Sequence, residues 1–294
     1  MKTTKISSFL LIAFFSFYTL SCSNDDPTKD PSDGGDGNTT GLKNGQIEIK
    51  VYPDENNKIS FTATAKEITI DWGDGNIDEL TPDNVEKEFI HEFSNQNLQT
   101  ILITSNSIEK LGYEDTYKGK FQEFRFGETS LKELYLRDLQ LTSLDISKCT
   151  DLTGLNCNYN QLTSLDVSKC TALTNLSCGS NQLTSLDVTK CTALIGLYCF
   201  SNQLTSLDVT KCTALISLSC ISNQLISLDV SGCTALTDLY CASNQLTADA
   251  LNTIFAALPF SSNYDSFISL SGNPRSSTCD RTIATEKGWL VHYY

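Results

Sequence analysis

Histidine is almost absent from this chain of 294 residues: only His91 and His292 occur, so imidazole general acid/base chemistry and His-rich metal sites have almost nothing to work with. Basic residues are also few, 21 Lys+Arg against 35 Asp+Glu, a formal charge of −14 with no basic run. Phosphate binding needs clustered cations, so a nucleic-acid partner is excluded. Long apolar runs are missing after the first twenty residues, and no later segment could span a bilayer. What is plentiful is apolar residues, 40 % against 19 % charged, and cysteine, 12 in all. The first is enough for a packed core.

The opening segment predicts export. Lys2 and Lys5 precede an apolar stretch of twelve residues, Phe9 to Leu20, too short for a spanning helix. Thr19-Leu20-Ser21-Cys22 follows. It resembles a bacterial lipobox, with Thr19 where that pattern has an aliphatic residue, and this resemblance implies a signal peptide over 1–22 and lipidation at Cys22. Ser23-Asn24-Asp25-Asp26 is similar to the acidic surface-export signal of some Gram-negative lipoproteins. Residues 23–45, rich in Asp, Gly and Pro, read as a disordered tether.

Repetition dominates the rest. Leu141, Leu162, Leu183, Leu204, Leu225 and Leu246 recur at a spacing of 21, and each unit holds Leu-x-x-Leu-x-Cys-x-x-Asn-x-Leu, as in Leu152, Leu155, Cys157, Asn160 and Leu162. This is the leucine-rich repeat pattern. One such turn cannot outweigh its ordering entropy, since a buried leucine contributes on the order of 1.5–3 kcal/mol; stacked turns can. The asparagines are expected to form a ladder bonded to turn backbone. Leu131, Leu134, Leu136, Leu139 and Leu141 fit a degenerate coil, and Phe121, Phe124, Phe126 and Leu98, Ile101, Ile103, Ile108 extend the frame. The solenoid is therefore drawn over 98–246, with an insertion near 111–120.

Ten cysteines form two columns, Cys157, Cys178, Cys199, Cys220, Cys241 and Cys149, Cys170, Cys191, Cys212, Cys233. Adjacent coils lie about 4.8 Å apart, too far for the ~3.8 Å Cβ separation of a disulfide between parallel side chains. They read as buried thiols where leucine would be too large. Zinc knuckle spacings are absent. Asp145, Asp166, Asp187, Asp208 and Asp229, each three residues before a Lys or Gly, read as turn acceptors that meet those lysines.

LTSLDVSKCTALTNLSCGSNQ resembles the units of BspA-like and internalin J-like leucine-rich repeat surface proteins. That resemblance implies an extracellular, non-catalytic adhesion or binding protein. Before the repeats, residues 46–97 carry Ile47-x-Ile49-x-Val51 and Ile68-x-Ile70, read as strands. Asp71-Trp72-Gly73-Asp74-Gly75 and His91-x-Phe93 resemble the WGDG and H-x-Y/F elements of PKD-type modules, and turn chemistry is preferred to calcium binding for Asp71 and Asp74. After the repeats, Thr247 caps a helix bearing Leu251, Ile254, Phe255 and Leu258, Phe267–Leu270 reads as a strand, and Ser277-x-x-Asp280 to Gly288 as a second helix. Residues 247–294 are thus a cap over the last coil.

The fold class expected is mainly β: a leucine-rich repeat solenoid with a parallel sheet, a short β-sandwich-like module before it and an α/β cap after it. Within the repeats the LTSLDVSKCTA half hardly varies, whereas the outward strand positions do. Asn156, Asn158, Tyr198, Phe200, Ile221 and Tyr240 are the ligand-face candidates, with the last four as an apolar patch. No catalytic, cofactor or metal residue is assigned. The function expected is binding of an extracellular protein or glycan by a monomeric outer-membrane lipoprotein that meets the membrane through its anchor alone. A structural spacer or surface-layer component is the alternative, and a glycan-processing enzyme the third reading.

Overall fold

The computed structural model describes residues 41–80, 84–113, 119–261 and 265–292. The signal segment, Cys22 and residues 23–40 of the tether lie outside the described residues. The tether also ends sooner than expected, since the Gly45 amide donates to the Glu128 carbonyl (2.7 Å) and its carbonyl accepts from Ser105 (2.8 Å).

Eight strands build the first third: β1 (Gln46–Tyr52), β2 (Lys58–Thr64), β3 (Ile68–Asp71), β4 (Ile77–Leu80), β5 (Lys87–Glu92), β6 (Gln99–Thr104), β7 (Lys110–Gly112) and β8 (Lys120–Phe126). One sheet has the order β4-β3-β6-β1-β8, and β5-β2-β7 opens the other. Ile47, Ile49, Val51, Phe61, Trp72, Ile101 and Ile103 fill the space between them and are wholly buried. Here the structure corrects the domain boundary. The segments read as degenerate coils at 98–108 and 121–126 hold β6 and β8, which flank β1 as antiparallel partners, Ile49 opposite Ile101 on one side and Phe124 on the other. These strands complete the sandwich that 46–97 alone was too short to form.

The solenoid starts inside the expected insertion. β7 pairs antiparallel with β2 and parallel with β9 (Glu133–Tyr135), so the sandwich sheet passes directly into the repeat sheet. β10 (Gly154–Asn156), β11 (Asn175–Ser177), β12 (Gly196–Tyr198), β13 (Ser217–Ser219) and β14 (Asp238–Tyr240) follow in parallel register. Leu155, Leu176, Leu197, Leu218 and Leu239 stand opposite one another and are at most 2 % exposed, so equal places in the unit are neighbours in space. One hydrophobic core runs through sandwich, coils and cap.

The cap is as expected in outline. Thr247 accepts from Ala250 N at the start of α1 (Ala248–Ala257), which buries Leu251, Ile254 and Phe255. β15 (Phe267–Ser269) and β16 (Leu290–His292) add two further parallel strands to the sheet. The second helix is shorter than expected: Ser276–Thr278 is a 3-10 turn, and α2 covers Thr282–Thr285. Gly288 takes φ +83°, and the adjacent Trp289 is 1 % exposed, donating from Nε1 to Pro259 O (2.7 Å).

Candidate functional site: the concave face

The turn after each strand determines what the concave face can present. Ser180, Ser201, Ser222 and Ser243 sit at φ +52° to +56° in a left-handed turn, which a non-glycine residue keeps only when its neighbours over-determine it. The asparagine that follows supplies this. In Asn202, Oδ1 accepts from Leu183 N (3.0 Å) while Nδ2 donates to Cys178 O (3.0 Å) and Cys199 O (3.1 Å). The same bonds recur at Asn181, Asn223 and Asn244, so the ladder joins every coil to the one before it. Asn160 accepts from both Leu139 N and Leu141 N, covering the coil where Leu139 replaces the asparagine. Asn273 continues the ladder into the cap, with Oδ1 on Leu246 N (3.1 Å) and Nδ2 on Cys241 O (2.9 Å).

Both cysteine columns are free, buried thiols. Burial pushes Cys157 and Cys220 up to about 12, and burial with neighbouring negative charge does the same for Cys149 and Cys233. In the Cys149 column the sulfurs lean toward backbone carbonyls of the preceding coil, as Cys170 Sγ does on Cys149 O (3.5 Å) and Cys191 Sγ on Cys170 O (3.7 Å), whereas Cys220 Sγ leans toward Tyr240 O of the following coil (3.5 Å). No cluster of His, Cys, Asp or Glu among the described residues has the form of a metal site. The Asp row takes the turn role expected of it: Asp145, Asp166, Asp187, Asp208 and Asp229 each accept the N–H two residues on, at 2.8–2.9 Å. Asp166, Asp187 and Asp208 are drawn below the usual carboxylate range mainly by the hydroxyl two residues on, then by its N–H, with the lysine's pull a lesser cause.

Strand pleating sends alternate side chains out of the core, and these make the concave face. Tyr198, Phe200, Ile221 and Tyr240 all stand there half-buried. Two of these rings also reach partners beyond the four. A methyl group on Gly179 would lie 2.5 Å from the Phe200 ring, so Phe200 leans over that glycine toward Tyr159, ring centroids 6.2 Å apart. The Arg137 guanidinium lies 4.7 Å from the centre of the Tyr159 ring. Tyr240 turns the other way, edge-on to Phe267 at 4.7 Å, with His292 next at 5.8 Å from Phe267. Burial raises the Tyr240 hydroxyl pKa, helped by Asp238 and Tyr198. Asn158 and Asn156 serve backbone first: Asn158 Oδ1 takes the Gly179 N–H and Asn156 Oδ1 that of Asn158 (3.1 Å).

Phe267, His292, Tyr159 and Arg137 were not among the sequence candidates. Phe267 and His292 lie in strands outside the 21-residue frame, so comparison between repeats could not reach them. Near the sandwich, Lys110 pairs with Glu86 (2.9 Å), which raises the lysine and lowers the carboxyl, and its Nζ lies 5.0 Å from the Tyr135 ring centre. Tyr240, Phe267, Ser269 and His292 line an open apolar groove of about 420 Å³. A larger hollow, about 650 Å³, lies away from this face between β8 and the first coils; its charged walls include Arg125, which is already paired with Glu48 (2.9 Å).

In the sandwich, the Asp71–Gly75 segment forms a hairpin turn in which Gly73 and Gly75 take φ +81° and +95°. Asp71 and Asp74 accept from Gly73 N and Asn76 N, the turn role expected of them. Trp72 is buried with Nε1 on Asp78 (3.0 Å), and His91 stacks on it at 4.6 Å while bonding Asp74 Oδ2 at 2.7 Å.

These features define a mainly β leucine-rich repeat solenoid of 21-residue coils with an asparagine ladder and two cysteine columns. No protein-family model and no curated protein matches the chain. Among solved structures it is similar to the functional domain of InlJ from Listeria monocytogenes, which includes a cysteine ladder: 34 % identity over 53 % of this chain and 38 % of that one, TM-score 0.43. It is also similar to the internalin InlF of Listeria monocytogenes (24 % identity, 56 % and 47 % coverage, TM-score 0.44). A third is the Leptospira interrogans leucine-rich repeat protein LIC12759 (19 % identity, 56 % and 55 % coverage, TM-score 0.39). The chain thus spans about 38–55 % of the length of these structures. No helix among the described residues is long and apolar enough to cross a membrane.

Proposed function

We propose that this is an exported binding protein, tethered by a lipid on Cys22 to the outer face of a bacterial outer membrane, that presents the concave sheet to an extracellular protein or glycan without catalysis. One observation carries the reading. Across the coils the LTSLDVSKCTA half and the inward leucines and cysteines of the strand half are nearly constant, while the outward strand positions vary and hold Tyr198, Phe200, Ile221 and Tyr240. A pure spacer has no need to expose rings there, since apolar surface in contact with water favours association. The BspA-like reading rests on the repeat sequence. The stacked Trp72–His91 pair and its Asp74 bond support the PKD-like reading of the sandwich.

The test is a screen of the folded, unlipidated protein against extracellular matrix proteins and a glycan array, repeated with a Tyr198→Ser/Tyr240→Ser double variant. The reading expects a ligand whose binding falls at least tenfold in the variant. A ligand bound equally well by both proteins places recognition elsewhere, and no ligand at all favours the spacer.

A further inference from the structure

The concave strip has a period of its own. From β11 to β16 the outward residues that face one another across the sheet run Ser177, Tyr198, Ser219, Tyr240, Ser269 and His292, with Tyr135 and Asn156 before them outside this alternation. A ring alternates with a hydroxyl, strand by strand. Neighbouring strands lie about 4.8 Å apart, so successive rings stand about 9.6 Å apart, with a short polar side chain on the floor between them. Ser219, between the two tyrosines, is 7 % exposed.

The strip is also nearly free of charge on a chain of formal charge −14. From β10 to β16 the outward strand positions hold one carboxylate, Asp238, and it already accepts the Thr237 hydroxyl at 2.6 Å. The column bordering the turns is uncharged too: Gln161, Gln182, Gln203, Gln224 and Gln245 expose their side chains there. An occupant matched to this floor is uncharged, elongated, and offers flat apolar faces alternating with hydroxyl groups. An extended peptide fits it poorly, because the sheet's own N–H and C=O groups are spent on neighbouring strands and leave a peptide backbone unpaired.

Resting on the binding-face reading above, we infer that the strip takes a neutral polysaccharide running across the strands. Alternate sugar rings lay their C–H faces on Tyr198 and Tyr240, and the sugar between them bonds through its hydroxyls over Ser219. The groove lined by Tyr240, Phe267, Ser269 and His292 extends the track into the cap.

Affinity electrophoresis of the full chain in gels containing mannan, xylan or hydroxyethyl cellulose, with polygalacturonate as the anionic comparator, tests this. At least one neutral polymer is expected to retard the protein and polygalacturonate is not. Tyr198→Ala and Tyr240→Ala are each expected to weaken retardation about tenfold, the double variant more, and Tyr240→Phe to keep it, since stacking needs the ring and not its hydroxyl. All variants should stay folded, with Tyr240→Ala unfolding only about 2–6 °C below wild type because it loses the edge-on contact with Phe267. Retardation by polygalacturonate alone, by no polymer, or equally in wild type and the double variant overturns the inference. If in addition Tyr198→Ser/Tyr240→Ser abolishes binding to a matrix protein, the binding face stands and only its glycan chemistry falls.

Discussion

Replacing Asn202 tests the claim that side-chain amides, and not leucines alone, hold the coils in register. The residue lies mid-array and is 8 % exposed. In Asn202→Ala the Leu183 N–H loses its hydrogen-bond acceptor, an orphaned buried donor that costs about 1–3 kcal/mol. Cys178 O, Cys199 O and Phe200 O each lose one bond but keep another, from Asn181, Asn223 and Ser180 N. Their contribution is therefore smaller, about 0.5 kcal/mol apiece. The total is near 3 kcal/mol, which in a domain of this size lowers the midpoint of thermal unfolding by about 6–12 °C.

Asn202→Asp sharpens the test. One carboxylate oxygen still accepts from Leu183, but the other meets the carbonyl oxygens of Cys178, Cys199 and Phe200 and no donor, so the buried site resists the charge. The folded-state pKa of the introduced carboxyl is thereby raised above its unfolded value of about 3.9. A raised pKa means stability that is full below the unfolded pKa and lost as pH rises through the folded one. Relative to wild type, this variant should gain stability on acidification. Urea melts followed by circular dichroism between about pH 4 and pH 7 measure it, with Gln203→Ala, one residue on and exposed, staying within about 0.5 kcal/mol of wild type. An Asn202→Ala variant as stable as the Gln203→Ala control, or an Asn202→Asp variant whose deficit does not shrink in acid, refutes the ladder's energetic role.

The ten thiols of the two columns, all buried and with Cys149, Cys157, Cys220 and Cys233 raised to about 12, should resist iodoacetamide in the native protein and all alkylate in urea; peptide mapping by mass spectrometry reads the difference. Native-state labelling of either column contradicts that burial. The Asp74 carboxyl is lowered: burial opposes this as the largest single influence, but the His91 bond and the Asn76 donors together outweigh it. A lowered pKa gives stability present above the unfolded value and lost as pH falls through the folded one, so Asp74→Asn should flatten the acid limb of the stability profile below about pH 4. An unchanged acid limb rules out that linkage. Cys22→Ser should abolish incorporation of labelled palmitate in a Gram-negative host and release the protein from the membrane fraction; retained label excludes lipidation at that thiol.

The part of the fold that was legible in the sequence is the part built by repetition. A spacing of 21 residues places Leu155 over Leu176 and Asn181 over Asn202 whatever the details of the turn, because stacking is the one way such units bury their leucines. Thr247 and the apolar spacing after it announced the capping helix for an equally local reason. The errors fall where the signal is alternation alone. Ile101-x-Ile103 and Phe124-x-Phe126 read the same in a parallel coil and in an antiparallel sandwich strand, since side-chain period does not report strand direction.

Asn273 escaped notice because it follows Asn244 by 29 residues, yet it takes the next rung once α1 and β15 occupy the intervening chain. The candidate site divides along the same line. Periodicity alone puts Tyr198 and Tyr240 on the outward face, two coils apart. Only the packed structure decided that Phe200 turns away over the unfilled space at Gly179 and that Phe267 and His292 join Tyr240. Which rung a residue occupies follows from counting along the chain, but which way its ring leans depends on the space left by neighbours distant in sequence.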